Sequence, residues 1–138
     1  MSITRNAGKP FLQAVQGIMA AIALYAGGRS LVLGLEYPSP GLGASWNVPL
    51  DDTLRFVGGI WLGVGALLAL CIPRIEARGE ILRAVWAIVF CGGLGRLVSL
   101  FAVGYTDDAA LRVLGQELLL PPLLAYWQYR VARACRAR

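Results

Sequence analysis

The residues of this 138-residue chain best able to do chemistry are an arginine and a glutamate set inside long apolar runs. Arg96 stands nine residues before Tyr105, which is about 13 Å along a helix rising ~1.5 Å per residue. Glu117 stands seven residues after Ala110, about 10 Å deep by the same rise. An isolated charge near a bilayer centre costs about 2.5–3.5 kcal/mol on insertion scales. Pairing the two is the least expensive way to keep both, so an Arg96–Glu117 contact is expected. Such a pair either locks two helices together or forms part of a site.

The neighbouring residues bear on that choice. Arg96 shares a helical face with Gly92, Gly93 and Ser99, and Arg55 shares one with Gly58, Gly59 and Gly63. The spacing of Gly59 and Gly63 is that of a helix-packing seam, so both faces are expected to point into a bundle. Arg29 and Arg112 lie nearer a surface and can snorkel. With Arg55 and Arg96 both turned inward, Glu117 neutralises only one of them. The other invites an anionic ligand: a lipid phosphate, an isoprenoid phosphate or a carboxylate, which a guanidinium grips with two parallel hydrogen bonds. The candidate ligand-binding set is Arg55, Arg96, Glu117, Ser99 and Arg29. Asp51 and Asp52 are the competing partners of Arg55, and pairing with them would empty the argument for a second free charge.

Glu117 as a general acid or base is the enzymatic alternative. No nucleophile–base pair, metal-ligand cluster or phosphate loop accompanies it, and the chain has no histidine. No catalytic residue, cofactor or metal is therefore assigned. Cys71, Cys91 and Cys135 form no CxxC pair and read as small apolar fillers. Pro121 and Pro122 remove N–H groups that would bond the carbonyls of Glu117 and Leu118, so a kink just beyond the acid is expected.

Apolar residues make up 57% of the chain and charged residues 15%, far below the ~25% charge of a soluble domain. Four stretches reach the ~20 residues that cross a bilayer core: residues 11–35, 54–72, 81–105 and 110–132. The expected fold is all-α, a single membrane domain built as a four-transmembrane-helix bundle of two tandem helical hairpins. Between the spans, residues 36–53 form a turn-rich acidic loop with Trp46, residues 73–80 carry Arg74 and Arg78, and residues 106–109 form a tight turn with Asp107 and Asp108.

The net charge of +5 reads as membrane topology and not as a nucleic-acid footprint, because the arginines flank apolar runs. Basic residues gather at the N-terminus, the second connection and the C-terminal tail, which places both termini in the cytoplasm. Tyr126, Trp127 and Tyr129 fit an inner aromatic belt, and Tyr37, Trp46 and Tyr105 an outer one. The segments opening the second and fourth spans, Asp51-Asp52-Thr53-Leu54-Arg55 and Asp107-Asp108-Ala109-Ala110-Leu111-Arg112, suggest a parallel internal repeat. A shared demand for outer-edge anchors gives the same pattern.

Arg55 with Gly58-Gly59, Gly95-Arg96 with Ser99 and Gly104, and Glu117 followed by Pro121 occur in a fixed order. In these the chain resembles a bacterial family of small four-helix integral membrane proteins catalogued only as a domain of unknown function. The resemblance covers the last three spans and implies a membrane protein without implying an activity. More remotely, the chain is similar to small four-span proteins linked to quinone or thiosulfate oxidation. The expected setting is thus a multi-pass protein of a bacterial inner membrane. Its partners would be the lipid bilayer, a bound lipid or anionic small molecule, and a homo-oligomer or larger membrane complex. A ligand-binding or accessory role leads, ahead of a membrane enzyme or an oligomeric transporter or channel.

Overall fold

The computed structural model describes residues 8–38, 40–41, 47–104 and 107–136. Trp46 and Tyr105, expected in the outer belt, fall outside them. The described residues are mostly helical, with turns between the helices and no strand: α1 is Gly8–Leu33, α2 Val48–Cys71, α3 Gly79–Val103 and α4 Asp108–Arg136. Short 3-10 turns, Gly34–Glu36 and Ile72–Arg74, close α1 and α2.

The helix starts follow local signals. Asn47 caps α2, its side-chain oxygen accepting the Leu50 N–H at 3.1 Å, and Pro49 sits in the first turn where no N–H is needed. This helix begins at Val48, not at Leu54 as expected, and so takes in Asp51 and Asp52. Asp107 plays the capping role for α4, accepting from the Ala110 N–H at 2.6 Å. Gly104 ends α3 with φ 100°, a left-handed conformation suited to glycine, and its N–H bonds to Leu100 O.

Three of the helices, α1 to α3, are long and apolar enough to cross a membrane. The fourth, α4, is long enough at 29 residues but more polar, so three of the four expected spans are apolar enough by composition. Gln116, Glu117, Gln128 and Arg130 interrupt its apolar run. Their placement explains how the helix tolerates them. The buried residues Leu114, Glu117, Pro121, Leu124, Gln128 and Val131 recur at alternating steps of three and four, the repeat of a packing seam. Two polar side chains thus lie in the seam, while Leu119 and Leu123 stand out at 71% and 58% exposure. Pro121 and Pro122 lie inside a continuous α4, with Pro121 in the seam.

The chain forms two compact units, Gln13–Pro73 and Met1–Leu12 with Arg74–Arg138. In the first, α1 and α2 meet backbone to backbone. A Cβ on Gly58 would lie 2.5 Å from Leu31 N, and one on Gly27 would lie 2.6 Å from Leu62 N. Gly65 meets Leu24 on the same α2 face, seven residues on from Gly58. Gly59 and Gly63 face open space, so the expected seam runs one position away, through Gly58. Ser30 Oγ donates to Leu54 O at 2.9 Å, and Gln13 Nε2 donates to Ile72 O at 2.7 Å.

In the second unit α3 packs on α4. Its close point is Gly93, where a Cβ would come within 3.0 Å of Glu117 Cβ and of Leu118 Cδ2. Gly92 and Gly95 face open space. The Phe11 and Trp127 rings meet at 5.3 Å, and Lys9 Nζ lies 3.0 Å from Glu76 Oε2.

Candidate functional site

Two separate arginine–carboxylate pairs account for the charges inside the apolar helices. In the α3–α4 unit, Arg96 Nε donates to Glu117 Oε2 at 2.8 Å. The two residues sit at matched height on helices that run in opposite directions from one short connection. Gly93, one turn before Arg96, leaves the space Glu117 needs. The partners differ in burial: the Glu117 side chain is 9% exposed and that of Arg96 52% exposed. Among the described residues nothing accepts from the two terminal nitrogens of Arg96. Ser99 lies exposed three residues further on. The arrangement is a buried carboxylate that fixes a guanidinium by its inner edge and leaves the outer edge presented.

The pair in the Gln13–Pro73 unit is of another kind. Arg55 Nε donates to Asp51 Oδ2 at 2.7 Å, and its Nη1 donates to Leu31 O at 3.0 Å and Val32 O at 2.7 Å. Those carbonyls belong to the last turn of α1, where a helix leaves acceptors without internal partners and concentrates negative partial charge. Asp51 Oδ1 meanwhile accepts the Leu35 N–H at 2.8 Å. The turn that delivers this N–H passes through Gly34 at φ 55°, where a Cβ would collide with the Asp51 carboxylate. Arg55 and Asp51 together close the end of α1. The possibility raised for Asp51 in the sequence is therefore the one the geometry adopts.

Arg29 is exposed and lies over two rings, 5.8 Å from the Tyr25 centroid and 5.2 Å from that of Tyr37, with a 3.3 Å bond from Nη1 to Tyr25 Oη. The same i, i+4 tyrosine–arginine contact recurs at Tyr126–Arg130 and Tyr129–Arg133. Sequence reasoning separated these residues into aromatic belts and charge clusters, and the four-residue spacing that joins them was the available signal. The positions matched in the supposed repeat do different work: Asp51 pairs with Arg55 whereas Asp107 caps α4.

Two buried polar residues escaped the sequence reading. Gln128, in the α4 seam, donates to Ile75 O at 2.9 Å. Gln16 is 1% exposed, and its Nε2 has no hydrogen-bond partner among the described residues. Among the described residues no group of three His, Cys, Asp or Glu side chains could hold a metal. Of the three cysteines, Cys71 is buried, and Cys91 and Cys135 are exposed. Full burial suits the apolar filler expected only at Cys71.

No curated protein and no solved structure matches the chain. A family match covers residues 11–128, which includes both arginine–carboxylate pairs and all but the ends of α1 and α4. The chain belongs to the family described as Domain of unknown function (DUF4345).

Proposed function

We propose that this protein is a four-span integral membrane protein that binds an anionic or lipid-like ligand at the presented edge of Arg96. The observation that carries the reading is the asymmetry of the Arg96–Glu117 pair. A pair that serves only to lock helices buries both partners, whereas here Glu117 is enclosed and half of the Arg96 side chain is not. Glu117 holds the guanidinium plane by Nε, which leaves the two terminal nitrogens in the parallel geometry that grips a phosphate or carboxylate. Ser99, one turn away, supplies a further hydroxyl. Arg55 has a structural task of its own, so the ligand role concentrates on Arg96.

The membrane reading rests on reversed amphipathicity. Polar Gln16, Asp51, Glu117 and Gln128 are buried while Phe56, Val98, Phe101 and Leu119 are 66–81% exposed. Soluble monomers keep large exposed apolar surfaces few, and in lipid the preference inverts. For α4 the same inversion supports a crossing that its mean polarity alone would not. The tyrosine-held arginines are interfacial anchors, and the basic ends with Arg78, Arg83, Arg130 and Arg133 are read as cytoplasmic in a bacterial inner membrane. Gly59 and Gly63, open on α2, support a second role as an accessory subunit or homo-oligomer packing through that face.

The test is native mass spectrometry of detergent-purified protein. The wild-type protein is expected to carry anionic lipid that an Arg96→Ala variant loses while still inserting. Equal lipid occupancy in the two would remove the ligand reading and leave a helix lock.

A further inference from the structure

Opposite the α3–α4 connection, the first turn of α3 and the last turns of α4 enclose an open pocket of about 330 Å³. Its wall carries Arg83, Arg133 and Arg136 together with Glu76 and Glu80. Arg133 is steadied over the Tyr129 ring, which also lines the pocket. The first-turn N–H groups of α3 add donors here, since Arg78 provides no side-chain cap. This is the chemistry of a phosphate cradle.

The pocket also holds acceptors that a bare phosphate would not use. Gln128 lines it but is 2% exposed, its Nε2 donating to Ile75 O, so the acceptors open to an occupant are the acidic side chains. Glu76 is held by Lys9, and Glu80 stands exposed on the same wall.

We propose that this pocket binds a zwitterionic amine-bearing phosphate, with the lipid headgroup phosphoethanolamine as its occupant. The phosphate lies against Arg83, Arg133 and Arg136. The ammonium donates to the exposed carboxylate of Glu80. The tyrosine–arginine anchors on the same turns of α4 put the pocket at headgroup depth, which makes this a site separate from Arg96 though dependent on the same membrane reading.

The experiment reconstitutes the full-length protein in mixed phosphatidylethanolamine and phosphatidylglycerol nanodiscs and counts retained lipids by native mass spectrometry after detergent release. Phosphatidylethanolamine is expected to be retained at least tenfold over phosphatidylglycerol. Arg83→Ala/Arg133→Ala, both at exposed positions, should abolish that retention, and Glu80→Gln should reduce the preference for the amine lipid. Competition by soluble phosphoethanolamine would assign recognition to the headgroup alone, and retention without such competition would assign it to the intact lipid. Equal retention of the two lipids, or displacement by inorganic phosphate as readily as by phosphoethanolamine, would overturn the zwitterion assignment. Retention lost in Arg96→Ala but kept in Arg83→Ala/Arg133→Ala would overturn the pocket and leave the Arg96 reading intact.

Discussion

Two adjacent glycines offer a sharp test of the packing on which the Arg55–Asp51 clamp depends. A methyl group added at Gly58 would lie 2.5 Å from Leu31 N, 2.9 Å from Gly27 O and 2.9 Å from Ser30 C. Carbon contacts settle at about 3.5–4.0 Å, so α1 and α2 would have to separate by roughly 1 Å. All three neighbours are backbone, and no side chain can swing aside to absorb the strain. Such overpacking costs about 1–3 kcal/mol. The same displacement stretches the Ser30 Oγ–Leu54 O and Arg55 Nη1–Val32 O bonds, each worth about 1 kcal/mol or more. At Gly59 the added methyl meets nothing within 4 Å, and alanine exceeds glycine in helix propensity by about 1 kcal/mol. Gly58→Ala should therefore destabilise by about 2–4 kcal/mol, while Gly59→Ala should be neutral or stabilising by up to about 1 kcal/mol. Unfolding in mixed dodecyl maltoside and dodecyl sulfate micelles, followed by circular dichroism, measures both. Equal midpoints for the two variants would refute the close approach, and a larger loss at Gly59 would move the contact face to the glycine seam suggested by the sequence.

Arg55→Ala should lower the unfolding midpoint, because it removes the guanidinium bonded to Asp51 and frees the Leu31 and Val32 carbonyls. Hydrogen exchange confined to the end of α1 would report it, and Arg55→Lys should rescue little, having no planar fork. Arg96→Ala should be more damaging than Glu117→Gln in the same micelle titration, since glutamine still accepts from Arg96 whereas alanine leaves the buried carboxylate alone; the reverse order would contradict the assigned burial. Asn47→Ala should lose about 1 kcal/mol and show faster amide exchange at Leu50, with unchanged exchange indicating that the cap is idle. Glu76 lies outside the membrane-spanning helices and has its pKa lowered from the usual 4.5 by its own backbone N–H and by Lys9. Its contribution to stability is complete above that value and disappears as pH falls through the lowered one. Glu76→Gln should accordingly flatten the acid limb of a pH–stability profile, and an unaltered limb would exclude the Lys9–Glu76 contact as its cause.

The Arg96–Glu117 pair was legible in the sequence because matched depth on two helices with a short connection leaves each charge a single inexpensive partner. The use of Arg55 was harder to read. It depends on α2 beginning at Val48, a start announced by Asn47 and Pro49 but hidden by the loop-like composition around them. It depends as well on the left-handed turn at Gly34, which delivers a backbone N–H to Asp51. The facing of the glycines was ambiguous for a different reason: Gly58 and Gly59 are neighbours, and spacing alone does not say which of two faces meets α1. At α4 an average over the helix conceals that Glu117 and Gln128 share one buried stripe while Leu119 and Leu123 lie exposed.

That stripe bears on how the protein is made. On the proposed topology, α4 leaves the translocon less oily than the three helices before it, and its partitioning improves once α3 is alongside to pair with Glu117 and the turn before α3 to accept from Gln128. The last two helices would then enter the bilayer as a couple, with α3 acting as an intramolecular chaperone. A ribosome stalled before Asp108 would leave Arg96 without its counter-ion, so the quality of insertion would be decided late in synthesis.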